Sequence, residues 1–170
     1  TSADTTANET IRNFSLEIDK TKKGFKQFIP EISMGDEKYK LTEEYEAVGN
    51  DATSALDGAW KLVTRYQIKG TDTTNVQNTK QFKTYYSGYC VWGNTWKDSL
   101  NKTHTGIGFG KFEMNGNKVK ESMSASTYSS VRGHDFDIDI KLNGSDGFTQ
   151  TITDTDGTKN IEVYIRLKKE

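Results

Sequence analysis

The sequence contains almost no cysteine or proline: there is one residue of each among 170. A single cysteine, Cys90, excludes an intramolecular disulfide and a zinc site built from several cysteines. Because Cys90 lies in a run typical of a strand, we interpret it as a half-buried structural thiol. Disordered chains are rich in proline, so a single proline favours a folded chain. A chain of this length can bury a core that holds the fold without disulfides.

Strong charge and long hydrophobic runs are missing as well. The 23 Lys and Arg residues nearly balance the 24 Asp and Glu residues, which gives a formal net charge of −1. This balance predicts no nucleic-acid partner, since such partners are recognised by basic patches. No apolar run is long enough for a transmembrane helix, so no membrane span is expected.

Residues suited to catalysis or to metal binding are sparse. His104 and His134 lie in polar, turn-like surroundings, and neither has the spacing of a metal-ligand pair. We therefore predict no catalytic residue, no metal, no cofactor and no enzymatic activity. His134 beside Asp135 is the one arrangement that could serve general-base chemistry, so hydrolysis is a third and separate hypothesis.

The sequence does contain many aromatic residues, with 3 Trp, 8 Tyr and 8 Phe in a chain that is only 32% hydrophobic. Alternating apolar and polar runs recur at roughly ten-residue spacing, joined by Asn-Gly and Asp-Gly turns. This pattern predicts an all-β protein, an antiparallel up-and-down meander closing into a barrel, with extra N-terminal strands. The predicted strands cover 14–19, 25–29, 39–45, 60–68, 80–85, 89–96, 106–114, 118–126, 135–142, 148–153 and 161–167.

The chain is predicted to have four parts. Residues 1–8 are expected to be a flexible tail, 9–47 a β-strand segment, 48–55 a linker and 56–170 the barrel. Pro30 is expected to stop the second strand, and 70–78 to be a polar loop. Residues 36–47 could also form a helix, because Glu and Lys are good helix formers.

The N-terminal strands resemble the C-terminal ones. The run at 14–18 aligns with 136–140, and 24–29 aligns with 147–152; in the third strand Tyr39 is matched to Ile161. One interpretation is that the similarity reflects only the alternation that any two three-stranded meanders share. The other is that 9–47 are the closing strands of an incomplete second copy. Such strands would have unpaired edges that need a partner. One hypothesis is that they pair with a second copy of the chain in a homodimer. Alternatively, they pair with the edge or mouth of the barrel, or with a segment upstream of this sequence.

The run Leu-Asp-Gly-Ala-Trp-Lys-Leu-Val at 56–63 carries a family resemblance. Gly58-Ala59-Trp60 is similar to the Gly-x-Trp motif of the lipocalins and the wider calycin group, and the chain resembles short lipocalin-like domains of unknown function exported by Bacteroidetes. The resemblance implies that Trp60 closes one end of the barrel and that Arg166, on the last strand, packs over its ring. It also implies an extracytoplasmic location (periplasmic, secreted or cell-surface), with any signal or anchor segment outside this sequence.

A set of aromatic residues in the barrel region could line a ligand cavity or simply fill the core. Trp92 and Trp96 lie four residues apart on one strand face and are the best candidates for a ligand-facing pair. The candidates are Phe82, Tyr85, Trp92, Trp96, Phe109, Phe112, Tyr128 and Phe136. Two functions follow: an exported barrel that binds a small apolar ligand, or a structural or protein-interaction module of the cell envelope with a filled barrel.

Overall fold

The computed structural model describes residues 15–49, 53–76 and 79–168, except for the side chain of Met34. The tail predicted at 1–8 lies outside these residues. Within the described residues, all regular structure is β-strand. The strands are β1 Glu17–Lys20, β2 Gly24–Met34, β3 Glu37–Glu46, β4 Gly58–Lys69, β5 Asp72–Asn75, β6 Thr79–Tyr86, β7 Tyr89–Lys97, β8 Thr103–Asn115, β9 Lys118–Ser126, β10 Asp135–Leu142, β11 Gly147–Thr153 and β12 Lys159–Arg166.

Strands β4 to β12 form one antiparallel sheet that closes on itself. Each of the strands β6 to β12 pairs with the next along the chain, and β12 then pairs with β4. Since β4 also pairs with β6, eight strands make the closed barrel and β5 lies outside it, paired to β4. The all-β, up-and-down barrel with extra N-terminal strands is confirmed.

Two features differ from the sequence prediction, the end of the second strand and the loop at 70–78, and one open alternative, at 36–47, is resolved in favour of the predicted strand. Strand β2 continues through Pro30 to Met34, because the register with β3 shifts between Ile29 and Ile32 and the proline lies at this irregularity. Residues 37–46 form β3 and not a helix. The polar loop predicted at 70–78 contains β5, whose four residues are all exposed and so carry no alternating signal.

A β-bulge on β4 decides which side chains point into the barrel. Leu62 pairs with Tyr164 and Thr64 with Val163, so Val63 is the extra residue. The sequence predicts Trp60, Leu62 and Thr64 on one face, but Thr64 is exposed because the bulge reverses the alternation. Arg65 takes the inward position instead, paired in register with Glu162.

The chain divides into two compact units, Thr1–Val48 and Gly49–Glu170. In the first unit the described strands form a sheet of their own in the order β1-β2-β3. Among the contacts between β2 and β3, the rings of Phe25 and Tyr45 stack with centroids 4.8 Å apart, and Gln27 Nε2 donates to Glu43 Oε2 at 2.8 Å.

The same two contacts occur between β11 and β12 of the barrel. Phe148 stacks on Tyr164 with centroids 4.7 Å apart, and Gln150 Nε2 donates to Glu162 Oε2 at 2.8 Å. The similarity between the two meanders therefore extends from alternation to side-chain contacts. In the third strand these contacts match Tyr45 with Tyr164. The alignment made from the sequence matched Tyr39 with Ile161, so it is out of register with the contacts by three residues.

Candidate functional site

Trp60 is buried near the start of β4. Its side chain is 1% exposed, its Nε1–H donates to the Leu56 carbonyl at 2.6 Å, and its ring meets Phe148 edge-on. The guanidinium carbon of Arg166 lies 4.0 Å from the centre of the indole, a cation–π contact. The structure thus places Trp60 and Arg166 together as the resemblance implied.

Gly58 makes room for this arrangement. A Cβ at this position would lie 2.2 Å from Nη1 of Arg166, and its φ of +132° is one that other residues rarely adopt. Arg166 also donates from Nη1 to the Asp57 carbonyl at 2.6 Å and from Nε to the Ser145 carbonyl at 2.8 Å. One arginine therefore ties the last strand to the turn before β4.

Inward side chains change from apolar to polar and back to apolar along the barrel. On β11 the inward side chains after the buried Phe148 are Gln150 and then Ile152. On β9 Val119 is followed by Glu121 and then by Met123, all of them buried. The barrel interior is therefore crossed by a layer of buried polar side chains, which we call the polar layer: Gln81, Lys83, Glu121, Gln150 and Glu162.

Hydrogen bonds link the polar layer into one network. The Lys83 ammonium donates to Glu121 Oε1 at 2.9 Å and to Gln150 Oε1 at 3.0 Å. Gln150 in turn donates to Glu162, and Gln81 Nε2 donates to the same carboxylate oxygen at 3.3 Å. Buried charges are costly unless they are paired and hydrogen-bonded, and here each carboxylate has both kinds of partner.

Two tyrosines of the core reach up to this layer. The Tyr85 hydroxyl donates to Glu121 Oε1, and the Tyr164 hydroxyl donates to Glu162 Oε2 at 2.5 Å. Burial, and secondarily the nearby carboxylates, raises the pKa of both hydroxyls well above the ordinary range. They therefore stay protonated and act as donors at physiological pH.

Arg65 borders the same layer but is less completely bonded. Its Nε lies 3.5 Å from Glu162 Oε1, which makes an ion pair, yet this buried nitrogen has no hydrogen-bond partner. Guanidinium groups offer five donors in a fixed geometry. Arg65 is thus the charged group of this site with unused hydrogen-bonding capacity.

Beyond the polar layer lies an open cavity of about 260 Å³. Its floor consists of the polar layer together with Arg65 and Asn94. Its apolar wall is formed by Trp92, Met123, Tyr128, Val131, Phe136 and Ile152. A cavity with an apolar wall and a few convergent polar groups is the usual form of a small-molecule site.

The structure separates the eight aromatic candidates into four groups. Trp92, Tyr128 and Phe136 line the cavity, whereas Tyr85 and Phe112 are buried in the core. Trp96 is 36% exposed, stacks on His104 and donates from Nε1 to the Tyr128 hydroxyl at 3.0 Å. Phe82 and Phe109 are 49% and 37% exposed and do not line the cavity.

Alternation explains the position of Phe82. Its neighbours Gln81 and Lys83 point inward on β6, so the phenylalanine between them must point outward. Phe82 was a candidate site residue, whereas Gln81 and Lys83 were not. Since Gln81, Lys83 and Tyr85 share one face of the strand, Phe82 and Tyr85 could not both point inward.

Glycines on β8 make space for the aromatic part of the wall. A Cβ at Gly108 would lie 2.3 Å from the Trp92 ring, and one at Gly106 would lie 2.4 Å from the Tyr128 ring. The two rings are themselves stacked, 5.8 Å apart and 14° from parallel. The glycine residues of β8 thus shape the cavity wall.

Gly108→Ala is expected to lower the free energy of unfolding by about 1–3 kcal/mol, because the new methyl group would displace the buried Trp92 ring. Chemical denaturation monitored by circular dichroism measures this loss. The matched control is Gly93→Ala, whose methyl group would find its nearest contact at 3.9 Å. Equal losses in the two variants would contradict the role assigned to Gly108.

Cys90 is a fully buried thiol rather than a half-buried one. Burial, with a smaller contribution from Glu121, raises the pKa of this thiol to about 12. Since the thiolate is the nucleophile, Cys90 is expected to resist iodoacetamide at pH 8 in the folded protein and to react after unfolding in guanidinium. Mass spectrometry of both samples checks this; equal labelling rates would show that the thiol is accessible.

The residues considered for hydrolysis lie outside the cavity. Asp135 Oδ2 accepts from Lys120 Nζ at 2.8 Å, and this contact lowers the pKa of the Asp135 carboxyl. His134 and Asp135 are both exposed and neither lines the cavity.

Among the described residues, no group of three or more His, Cys, Asp or Glu side chains is arranged to hold a metal ion. None of those residues belongs to a helix long and apolar enough to cross a membrane.

Comparison with known proteins finds similarity among solved structures alone. No protein-family model matches the sequence, and no curated protein matches it. A lipocalin-like protein from Bacteroides uniformis is 15% identical with a TM-score of 0.43, and the match covers 67% of this chain and all of the other. A redesigned β-barrel has the same identity, TM-score and coverage of this chain, with 93% of its own chain matched. An uncharacterized protein from Bacteroides eggerthii is 11% identical with a TM-score of 0.41, over 66% of this chain and 99% of the other. By its own strand order and closure, the described part of this chain is an eight-stranded antiparallel up-and-down β-barrel, with β5 paired outside it and a separate three-stranded sheet formed by the N-terminal strands.

Proposed function

We propose that this protein is a non-enzymatic binding protein that holds a small ligand in the open end of its barrel. The observation that carries the proposal is the cavity of about 260 Å³ above the polar layer. A barrel used only as a scaffold could be filled along its whole length by apolar side chains, as it is around Trp60. Here the apolar filling is interrupted by a layer of charged and amide side chains, and the cavity lies beyond it.

The cost of burying those side chains supports a binding role. Replacing a buried ion pair by well-packed apolar residues is often neutral or stabilising, so such pairs are weak contributors to stability. Lys83 and Glu121 nevertheless lie side by side beneath the cavity. A ligand whose apolar part packs against Trp92, Tyr128 and Phe136 would place its polar part on this floor.

The absence of enzymatic activity and the location outside the cytoplasm belong to the same proposal. The non-enzymatic role is supported by the high pKa of the Cys90 thiol and by the position of His134 and Asp135 outside the cavity. The extracytoplasmic location is supported by the resemblance to exported domains. Fractionation of the source cells, with the protein detected by antibody, tests the location.

Binding can be tested with small probes and a variant that fills the cavity. Benzyl alcohol and cyclohexanol, followed by saturation-transfer NMR, are expected to contact the wild-type protein. Val131→Phe places a ring in the cavity and is expected to abolish the signal, whereas Val63→Phe, on the outer face, is expected to keep it. A wild-type signal that Val131→Phe leaves unchanged would refute the proposal.

A second candidate function, interaction through the three-stranded sheet, is favoured by one specific observation. Tyr45 is 41% exposed, whereas its counterpart Tyr164 in the barrel is fully buried in the same kind of ring stack. Side chains suited to a barrel interior are thus exposed in β1–β3. We propose a second copy of this chain as the partner.

Light scattering over a range of concentrations tests this second candidate. The wild-type protein is expected to dimerise, and Phe25→Ser combined with Tyr45→Ser is expected to be monomeric. Val63→Ser removes an exposed apolar side chain from the barrel and serves as the control that should still dimerise. A wild-type monomer at high concentration would exclude the homodimer.

A further inference from the structure

We propose that the barrel cavity selects an uncharged ring compound that carries several hydroxyl groups. The inference rests on the proposed ligand-binding function and adds the chemical class of the ligand. Three features of the cavity support it: its charge balance, its hydrogen-bonding capacity, and the shape and size of its wall.

The charges around the cavity cancel. Four charged side chains line it, two cationic (Arg65 and Lys83) and two anionic (Glu121 and Glu162). Lys83 pairs with Glu121 at 2.9 Å, and Arg65 pairs with Glu162 at 3.5 Å. An ionic ligand would bring an unbalanced charge into a site that is partly removed from water, which is unfavourable unless a new partner is found. The site therefore favours a ligand with no net charge.

The polar floor offers donors and acceptors together. Arg65 has an unpartnered Nε, and the ion pair it makes is too long for a good hydrogen bond. On the acceptor side, the three side-chain donors to Glu162 all use Oε2, which leaves Oε1 with the Arg65 contact. A hydroxyl group donates one hydrogen bond and accepts others, so it suits a surface of mixed character better than a pure donor or a pure acceptor does.

Asn94 extends the mixed floor toward the wall. Its Oδ1 accepts from the Tyr128 hydroxyl at 2.9 Å, while its Nδ2 makes a long contact of 3.4 Å with Gln81 Oε1. These amides can exchange their long mutual contact for shorter bonds to a ligand. Several hydroxyls spread around a ring would reach the carboxylate, the guanidinium and the amides at once.

The wall of the cavity determines the apolar part of the ligand and its size. Trp92 and Tyr128 present aromatic surface at the cavity, and burying the apolar face of a ring against them is favourable. A volume of about 260 Å³ lies below the range of about 300–1,000 Å³ found for drug-sized ligands. The site therefore fits a single small ring, not an extended acyl chain.

A panel of related rings tests the charge and hydroxyl requirements. Methyl β-glucopyranoside, methyl β-galactopyranoside and myo-inositol are neutral; glucuronate carries a negative charge, and glucosamine at pH 6.5 a positive one. Titration calorimetry is expected to find at least one neutral polyol binding about tenfold more tightly, or better, than either charged ring. Benzyl alcohol and cyclohexanol complete the panel as rings with one hydroxyl.

The panel separates failure of this inference from failure of the proposed function. If benzyl alcohol, cyclohexanol or a charged ring binds and no neutral polyol does, the hydroxylated class is wrong and ligand binding stands. The same holds if a charged ring binds as tightly as the best polyol. If no member of the panel binds, the inference and the proposed function both fail.

Charge variants provide a reciprocal test. Arg65→Gln leaves the cavity with one excess negative charge and is expected to shift preference toward glucosamine by about tenfold. Glu162→Gln is expected to shift preference toward glucuronate, and the double variant is expected to restore preference for the neutral ring. Lys61→Gln removes an exposed lysine outside the cavity and should leave selectivity unchanged. Folding of each variant is verified by its melting transition; folded single variants with wild-type selectivity would overturn the inference.

Discussion

Trp60→Ala is expected to lower the free energy of unfolding by about 3–5 kcal/mol, the range for truncating a large buried aromatic side chain. The indole is almost completely buried, donates to the Leu56 carbonyl and contacts Phe148. Its loss would also remove the surface on which Arg166 packs. Urea denaturation followed by circular dichroism measures the effect.

The matched control for this prediction is Trp96→Ala. Trp96 is partly exposed, and its main polar contact is one hydrogen bond to Tyr128, so a loss of about 1 kcal/mol is expected. Trp60→Phe should fall between wild type and the alanine variant, since it keeps a ring and loses the Nε1–H donor. Similar losses for Trp60→Ala and Trp96→Ala would mean that Trp60 does not close the barrel.

Lys83→Met is the second change with a large expected effect. Methionine keeps most of the side-chain volume, but Glu121 loses the cation that pairs with it in the barrel interior. Leaving one buried charge without its partner costs about 3–5 kcal/mol. The same denaturation experiment measures this loss.

The pairing is tested by removing both charges. Lys83→Met combined with Glu121→Gln is expected to be more stable than Lys83→Met alone, because the unpaired charge is gone and glutamine can still accept from Tyr85. Lys120→Met breaks an exposed pair with Asp135 and is expected to cost much less. A double variant whose loss equals the sum of the two single losses would show that Lys83 and Glu121 are not coupled.

Most of the strands and their order could be predicted from the sequence. Alternation and Gly-containing turns locate the meander, and the strands β6 to β12 follow it with small shifts at their ends. The pairing of Trp60 with Arg166 came from a short motif, and the structure confirms the contact. Strand β5 was not predictable in this way, since it is exposed on both faces and is held only by pairing with β4.

The candidate site was predicted less completely. Trp92, Tyr128 and Phe136 line the cavity, but Lys83, Glu121 and the other members of the polar layer were not among the candidates. Charged residues are almost never buried without a partner, so a lysine in one strand is expected outside until its partner is known. That partner, Glu121, lies 38 positions along the chain.

The sequence by itself determined the alternation of most strands, the order of the meander and the motif around Trp60. It did not determine which face of β6 lies inside, because alternation alone does not say whether Phe82 or its neighbours Gln81 and Lys83 point into the barrel. The pairing of β6 with β4 decided this, since Lys83 lies directly opposite the buried Trp60 and faces the same side of the sheet. The bulge at Val63 and the closure of β12 on β4 turned Arg65 inward opposite Glu162. These registers bring the two ion pairs together beneath the cavity.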